Sequence, residues 1–288
     1  MWKQRRFGHD SGIYGLVNEP DDAGDDLVLM LAGLGQAMSE KNYFFSNLRK
    51  YLARSGTRVV QFDYRGHGDS FGELGDTTVS GMKRDALEVL AEVLEERPAE
   101  RIFLIGNALG GIIALQTAAA LLKQGKDAPV CIPVLLAPPF RKFPGKEVLF
   151  GRETLQALRR EGKLDAQLLV PGFDYYTLSD FNREPYDFFM AWGAHMLYLH
   201  GQCISAGMLD ELLELDTARL VKEYGGLLHI MCGCEDDDAK AIAEETNGVI
   251  LHGMRGYRYF YQHPAAMDQW IVRAASIVRG DNGERENF

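Results

Sequence analysis

Cysteine is scarce: Cys131, Cys203, Cys232 and Cys234 are the four in 288 residues. That is too few for a disulfide scaffold of this length, and a reduced, cytoplasmic setting is the simplest expectation. Cys232 and Cys234 share one face if a strand runs through them, but no further Cys or His lies nearby at ligand spacing, so no metal site is expected. Long apolar runs are lacking as well, none approaching the roughly 20 residues of a membrane span. Lys3, Arg5 and Arg6 have no apolar stretch behind them and do not read as a signal peptide. Positive charge is in deficit, with 31 Lys and Arg against 41 Asp and Glu and a net charge of −10. Without a basic block, such a chain is repelled by phosphates, which excludes nucleic acid as an expected partner. No internal repeat or low-complexity linker divides the chain. Gly33-Leu34-Gly35 continues without the third glycine of a dinucleotide-binding turn, so no cofactor is implied.

What is present is a foldable core. Hydrophobic residues make up 46% of the chain, which excludes intrinsic disorder. Residues 2–7 and 12–17, separated by Gly8-His9-Asp10-Ser11, predict an opening hairpin. Leu27 to Ala32 is a short continuous apolar run of the kind a buried parallel strand needs. A helix spaced on Phe44, Phe45, Leu48, Tyr51 and Leu52 follows. Next come a strand over 58–63, a glycine-rich loop, a helix over 79–96, a strand over 101–105, a helix over 109–123 and a strand over 134–137. This alternation predicts an α/β fold with a mostly parallel central sheet and helices on both faces.

The pattern breaks at Pro138-Pro139 and turns helical and aromatic-rich, with Phe173, Tyr175, Tyr176, Phe181, Tyr186, Phe188, Phe189, Trp192 and Tyr198. It resumes with strands over 227–231 and 249–251 and a helix over 265–278. The expected organisation is therefore a core over 1–140 and 227–288, the latter ending in a polar tail, and a helical cap inserted over 141–226. Such an insertion sits over the sheet's C-terminal edge, where ligands bind in open α/β folds. The aromatics serve as the cap's own core or, alternatively, as a docking surface for a protein partner.

Ile102 to Gly111 reads as a strand, a tight turn and a helix, and Gly106-Asn107-Ala108-Leu109-Gly110 resembles the Gly-x-Ser-x-Gly nucleophile elbow of the α/β-hydrolase superfamily. The glycine frame is intact and Ala108 stands at the serine position. Ala32-Gly33-Leu34 resembles the family's His-Gly-x segment, and Asp63-Tyr64-Arg65-Gly66-His67-Gly68-Asp69-Ser70 its Asp-x-Arg-Gly-x-Gly-x-Ser loop, in which His67 and Ser70 read as scaffold. The resemblance covers about 25–140 and 227–278 and is to the lysophospholipase-like and serine-aminopeptidase-like branch. It implies that the backbone N–H groups of Leu34, after Gly33, and of Leu109 form an oxyanion hole. It also implies that Asp236, in Gly233-Cys234-Glu235-Asp236, stands at the triad-acid position, an acidic surface turn being the alternative. Gly256-Tyr257-Arg258-Tyr259 puts Tyr259 at the histidine position. His263, before Pro264, looks like the start of the closing helix and is the alternative base, and His252 lies near a strand end. His195 and His200 read as surface or packing residues.

Two triad positions are thus changed. Alanine carries no nucleophile, and a tyrosine of pKa about 10 is a poor base near neutrality. Losing a triad member leaves a serine hydrolase only about 10³–10⁴-fold over water. Three readings stay open. One is a pseudohydrolase that binds a small apolar or acyl-type ligand under the cap. The second is a serine hydrolase of ester, thioester or amide bonds carrying an inactivating serine-to-alanine change. The third is a repurposed lyase, isomerase or cyclase using Asp236, Tyr259 and the oxyanion donors. A protein-interaction module is the alternative of a different class.

Overall fold

Five consecutive apolar side chains, Leu27 to Leu31, can all be buried only where both faces of a strand are covered. In the computed structural model, which describes residues 1–123, 129–170, 183–195 and 202–280, they lie in the middle of an eight-stranded sheet. The strands in chain order are β1 (Trp2–Phe7), β2 (Ile13–Asn18), β3 (Asp26–Leu31), β4 (Arg58–Phe62), β5 (Arg101–Asn107), β6 (Val130–Leu136), β7 (Lys163–Asp165), β8 (Cys203–Ser205), β9 (Leu228–Gly233) and β10 (Val249–Met254). The large sheet runs β1-β2-β4-β3-β5-β6-β9-β10. The hairpin β1–β2 is antiparallel with Trp2 opposite Asn18, β2 is antiparallel to β4, and every later pair is parallel.

Helices α1 (Phe44–Ala53), α2 (Val79–Glu96) and α3 (Leu109–Leu122) follow successive strands of the first half. Alternation along β3 sends Leu27, Leu29 and Leu31 into one apolar cluster with Met82 and Val89 of α2 and Ile112 of α3. Val28 and Met30 point the other way, into a cluster with Phe44 and Leu48 of α1 and with Trp270 and Ala274 of a C-terminal helix. Helices therefore cover both faces, as the sequence pattern predicts.

Between β6 and β9 the chain forms α4 (Lys146–Leu149), α5 (Arg152–Glu161), α6 (Ala166–Leu169), α7 (Arg183–Ala191), α8 (Ala206–Glu214) and α9 (Thr217–Tyr224). Leu149, Phe150, Phe188, Phe189 and Trp192 of this insertion join the same apolar cluster as α2 and α3. The two-stranded antiparallel ribbon β7–β8 is an addition to the expected helical segment, because strands of three residues carry too little alternation to be seen. Phe173, Tyr175, Tyr176, Phe181, Tyr198, His200 and the polar tail from 281 lie outside the described residues. The chain closes with α10 (Asp237–Glu245) and α11 (Pro264–Arg279). Among the described residues no helix is long and apolar enough to cross a membrane.

Candidate functional site

The strand order reverses around β3, and β5 beside it ends in a tight turn. Strand β5 runs to Asn107, the backbone turns at Ala108 with φ 48° and ψ −113°, and α3 begins at the next residue. A non-glycine residue held there costs about 1–3 kcal/mol. Ala108 N–H donates to Leu136 O of β6 at 2.9 Å, which ties the turn to the neighbouring strand. The flanking glycines are steric necessities: a Cβ on Gly106 would lie 2.0 Å from Gly110 O, and one on Gly110 would lie 2.0 Å from Leu31 O. The strained elbow is therefore intact and presents a methyl group.

The two backbone N–H groups expected as oxyanion donors each have a partner within the chain. Leu34 N–H donates to Trp192 O at 3.0 Å, and Leu109 N–H donates to the same oxygen at 3.3 Å. A single backbone carbonyl, from the turn after α7, thus accepts from both N–H groups. Gly193, at φ 86°, completes the seat: a Cβ on it would lie 3.2 Å both from the Ala108 Cβ and from the Gly33 Cα. Gln36 Nε2 holds the turn from the other side, donating to Gly193 O at 3.1 Å. Gly33 N–H points away from this oxygen and donates to Glu40 Oε2 at 2.8 Å.

A cavity of about 320 Å³ opens beside the elbow. It brings Ala108, Asp236 and Tyr259 together, and adds Asn107, His195 and Arg258. Asp236 starts α10, its Oδ1 accepting from Ala239 N–H at 3.0 Å. The Tyr259 ring lies parallel to that of Tyr261 at 5.1 Å. Burial, with the nearby carboxylates of Asp236 and Asp187 adding to it against Arg258, holds the Tyr259 hydroxyl above its usual range. A tyrosine so placed is a still weaker base near neutrality.

The structure does not bring His263 to the elbow. Its Nδ1 accepts from Ala265 N–H at 3.1 Å as the N-cap of α11, with Pro264 in the first turn, and its ring stacks on Tyr257. His252 pairs with His229, Nε2 to Nδ1 at 2.9 Å, between β9 and β10. His67 Nε2 accepts from Gly35 N–H at 3.1 Å, and Ser70 Oγ donates to Asp63 O at 2.5 Å, so both brace loops. Among the described residues no group of three or more His, Cys, Asp or Glu is arranged to hold a metal.

Three residues of the site carry no motif. Glu40 is fully inside, with Oε1 accepting from Lys41 N–H at 3.0 Å and Oε2 from Gly33, and the Asn107 side chain also bonds to the carboxylate. Burial outweighs these donors and pushes its pKa up to about 7. Lys41 Nζ lies 4.1 Å from the Tyr261 ring centroid. His195 meets the edge of Tyr261 at 4.8 Å, and burial followed by the Lys41 charge lowers its pKa to about 3. Its Nδ1 is buried without a hydrogen-bond partner among the described residues. Glu40 and His195 stand 155 positions apart, and only Gly193 beside Trp192 hinted that this stretch approaches another backbone.

Comparison with known proteins agrees with this geometry. A family model described as serine aminopeptidase (S33) matches residues 22–164, which include the elbow. The chain is 32% identical over 103 residues to "Putative carbamate hydrolase RutD" of Variovorax paradoxus (strain S110), covering 35% of each chain. It is 32% identical over 98 residues to an acyl transferase of Photobacterium leiognathi, covering 34% of this chain and 30% of that one. The match thus spans about a third of these curated relatives. A carboxyl esterase from Bacillus coagulans superposes with TM-score 0.68 at 17% identity, over 97% of this chain and 98% of that one. The strained elbow, the paired backbone donors and the mostly parallel sheet that carries them make this chain a member of the α/β-hydrolase superfamily.

Proposed function

We propose that this protein is a non-hydrolytic member of its superfamily, in which the insertion acts as a cap and the cavity beneath it binds a small apolar or acyl-type molecule. The observation that carries the reading is the Trp192 carbonyl bonded to Leu34 and Leu109 above an elbow that offers a methyl group. Both halves of acyl-transfer chemistry, the nucleophile and the free anion hole, are then missing at once. Lyase or isomerase work at the same donors is less well supported, because it needs the same N–H groups. Four free thiols suit a cytoplasmic setting.

A second reading is favoured by one feature. The strained backbone at Ala108 is what a nucleophile needs and what a methyl group does not, which fits a serine hydrolase with serine replaced by alanine. Ala108→Ser separates the two. On p-nitrophenyl butyrate we expect the variant to hydrolyse at the buffer rate, and adding Tyr259→His to leave it there while the Trp192 carbonyl stays seated. A rise of about 10²-fold or more with Ala108→Ser alone would overturn the non-hydrolytic reading.

A further inference from the structure

A second cavity, of about 240 Å³, adjoins the elbow cavity and shares Phe140 and Phe143 with it as walls. Its volume suits a small molecule rather than a long chain. The insertion supplies other walls: Phe188 of α7, Trp192 just after it, and Leu212, Leu213 and Leu215 at the end of α8. Phe143 and Trp192 each meet Phe188 edge to face, with centroids 5.0 Å and 6.3 Å away, so the aromatic side is braced by its own contacts.

Charge in this lining is balanced. Arg141 and Lys142 stand against Glu214 and Asp216, and Lys142 Nζ lies 3.3 Å from Asp216 Oδ2. Arg141, Lys142 and Glu214 are exposed, so they remain in water at the rim. A guest of either sign finds no net attraction there and would lose its own hydration against leucine and phenylalanine, which favours a neutral one. One polar atom of the lining residues is buried instead. Trp192 is 3% exposed, and its indole Nε1 has no hydrogen-bond partner among the described residues. An indole N–H can only donate, so what it lacks is an acceptor.

We propose that this second cavity binds a small neutral aliphatic carbonyl compound, with its hydrocarbon part against Leu212, Leu213 and Leu215 and its oxygen accepting from Trp192 Nε1. The site is additional to the elbow cavity and stands whether or not the elbow hydrolyses.

Titration of the full chain with cyclohexanone and with methylenecyclohexane, which has the same shape and no acceptor, tests it by nuclear magnetic resonance. The ketone should bind about tenfold more tightly and shift the indole N–H resonance of Trp192, which is identified by its absence from Trp192→Phe. In Trp192→Phe, which keeps an apolar wall, the two compounds should bind alike. Cyclohexylamine, charged at neutral pH, should not bind measurably. Leu213→Trp, at a half-buried residue that lines this cavity and not the elbow cavity, should abolish ketone binding by filling the space. Equal affinity for the two compounds in the unaltered protein, ketone binding that Trp192→Phe leaves unchanged, or no binding of the ketone overturns the proposal, and none of these needs Leu213→Trp to fold. None of them affects the non-hydrolytic reading, which fails only on ester turnover.

Discussion

Alanine at Gly193 is expected to lower the unfolding free energy by about 2–4 kcal/mol and to loosen the turn after α7. Three costs converge. The backbone at φ 86° is open to glycine and strained for alanine by about 1–3 kcal/mol. The new Cβ would sit 3.2 Å from both the Ala108 Cβ and the Gly33 Cα, tighter than ordinary contact, and neither neighbour can retreat because both belong to turns fixed by the sheet. Relief requires the turn to move outward, which weakens the two bonds from Leu34 and Leu109 to Trp192 O, each worth about 1 kcal/mol. Thermal unfolding of Gly193→Ala should show a midpoint lower by roughly 5–10 °C. A shift under about 1 °C would show that the turn is not seated on the elbow.

Acid is expected to destabilise the fold in the range where free imidazoles, rather than exposed carboxylates, take up protons. Burial holds His67 and His229 at a pKa of about 4 and His195 and His252 at about 3. In the unfolded chain each imidazole takes a proton near its usual value of about 6.5. Between about pH 6.5 and 4 the unfolded state therefore carries more protons, and stability falls as pH falls. Glu40 works in the opposite sense: with a pKa of about 7 in place of 4.5, it makes the folded state bind the extra proton across much of the same window. Four imidazoles outweigh one carboxyl. Each unbalanced proton contributes about 1.4 kcal/mol per pH unit, so urea unfolding at pH 6.5 and 5.5 should differ by about 2–4 kcal/mol. His252→Gln should flatten the slope, since it removes one buried imidazole and the close His229 contact. Equal stability at the two pH values would contradict the burial of these rings as neutral groups.

The fold was largely legible because its signals are periodic and local. Helix α2 spans Val79–Glu96, as its apolar spacing predicts, and His263-Pro264 marks the start of α11 as a cap followed by an N-terminal proline should. The elbow was legible because Gly106 and Gly110 answer to backbone approaches that no other residue permits. The seat of the Trp192 carbonyl was not, since every residue has a carbonyl and no residue type advertises where it will dock. Glu40 and His195 escaped for a related reason: their significance comes from burial and from partners far along the chain, and neither belongs to a motif. Ala108 shows the opposite case: on the non-hydrolytic reading proposed above, a single residue type removes a chemistry that the surrounding elbow would otherwise support.

Amide hydrogen exchange at Leu34 and Leu109 tests most directly whether the chain fills its own anion hole. With both N–H groups bonded to Trp192 O, they should exchange as slowly as the buried amides of β3, and Gly193→Ala should speed both together. Exchange of the two amides at the rate of open loops in the unaltered protein would mean that the hole stands free, and would contradict the account.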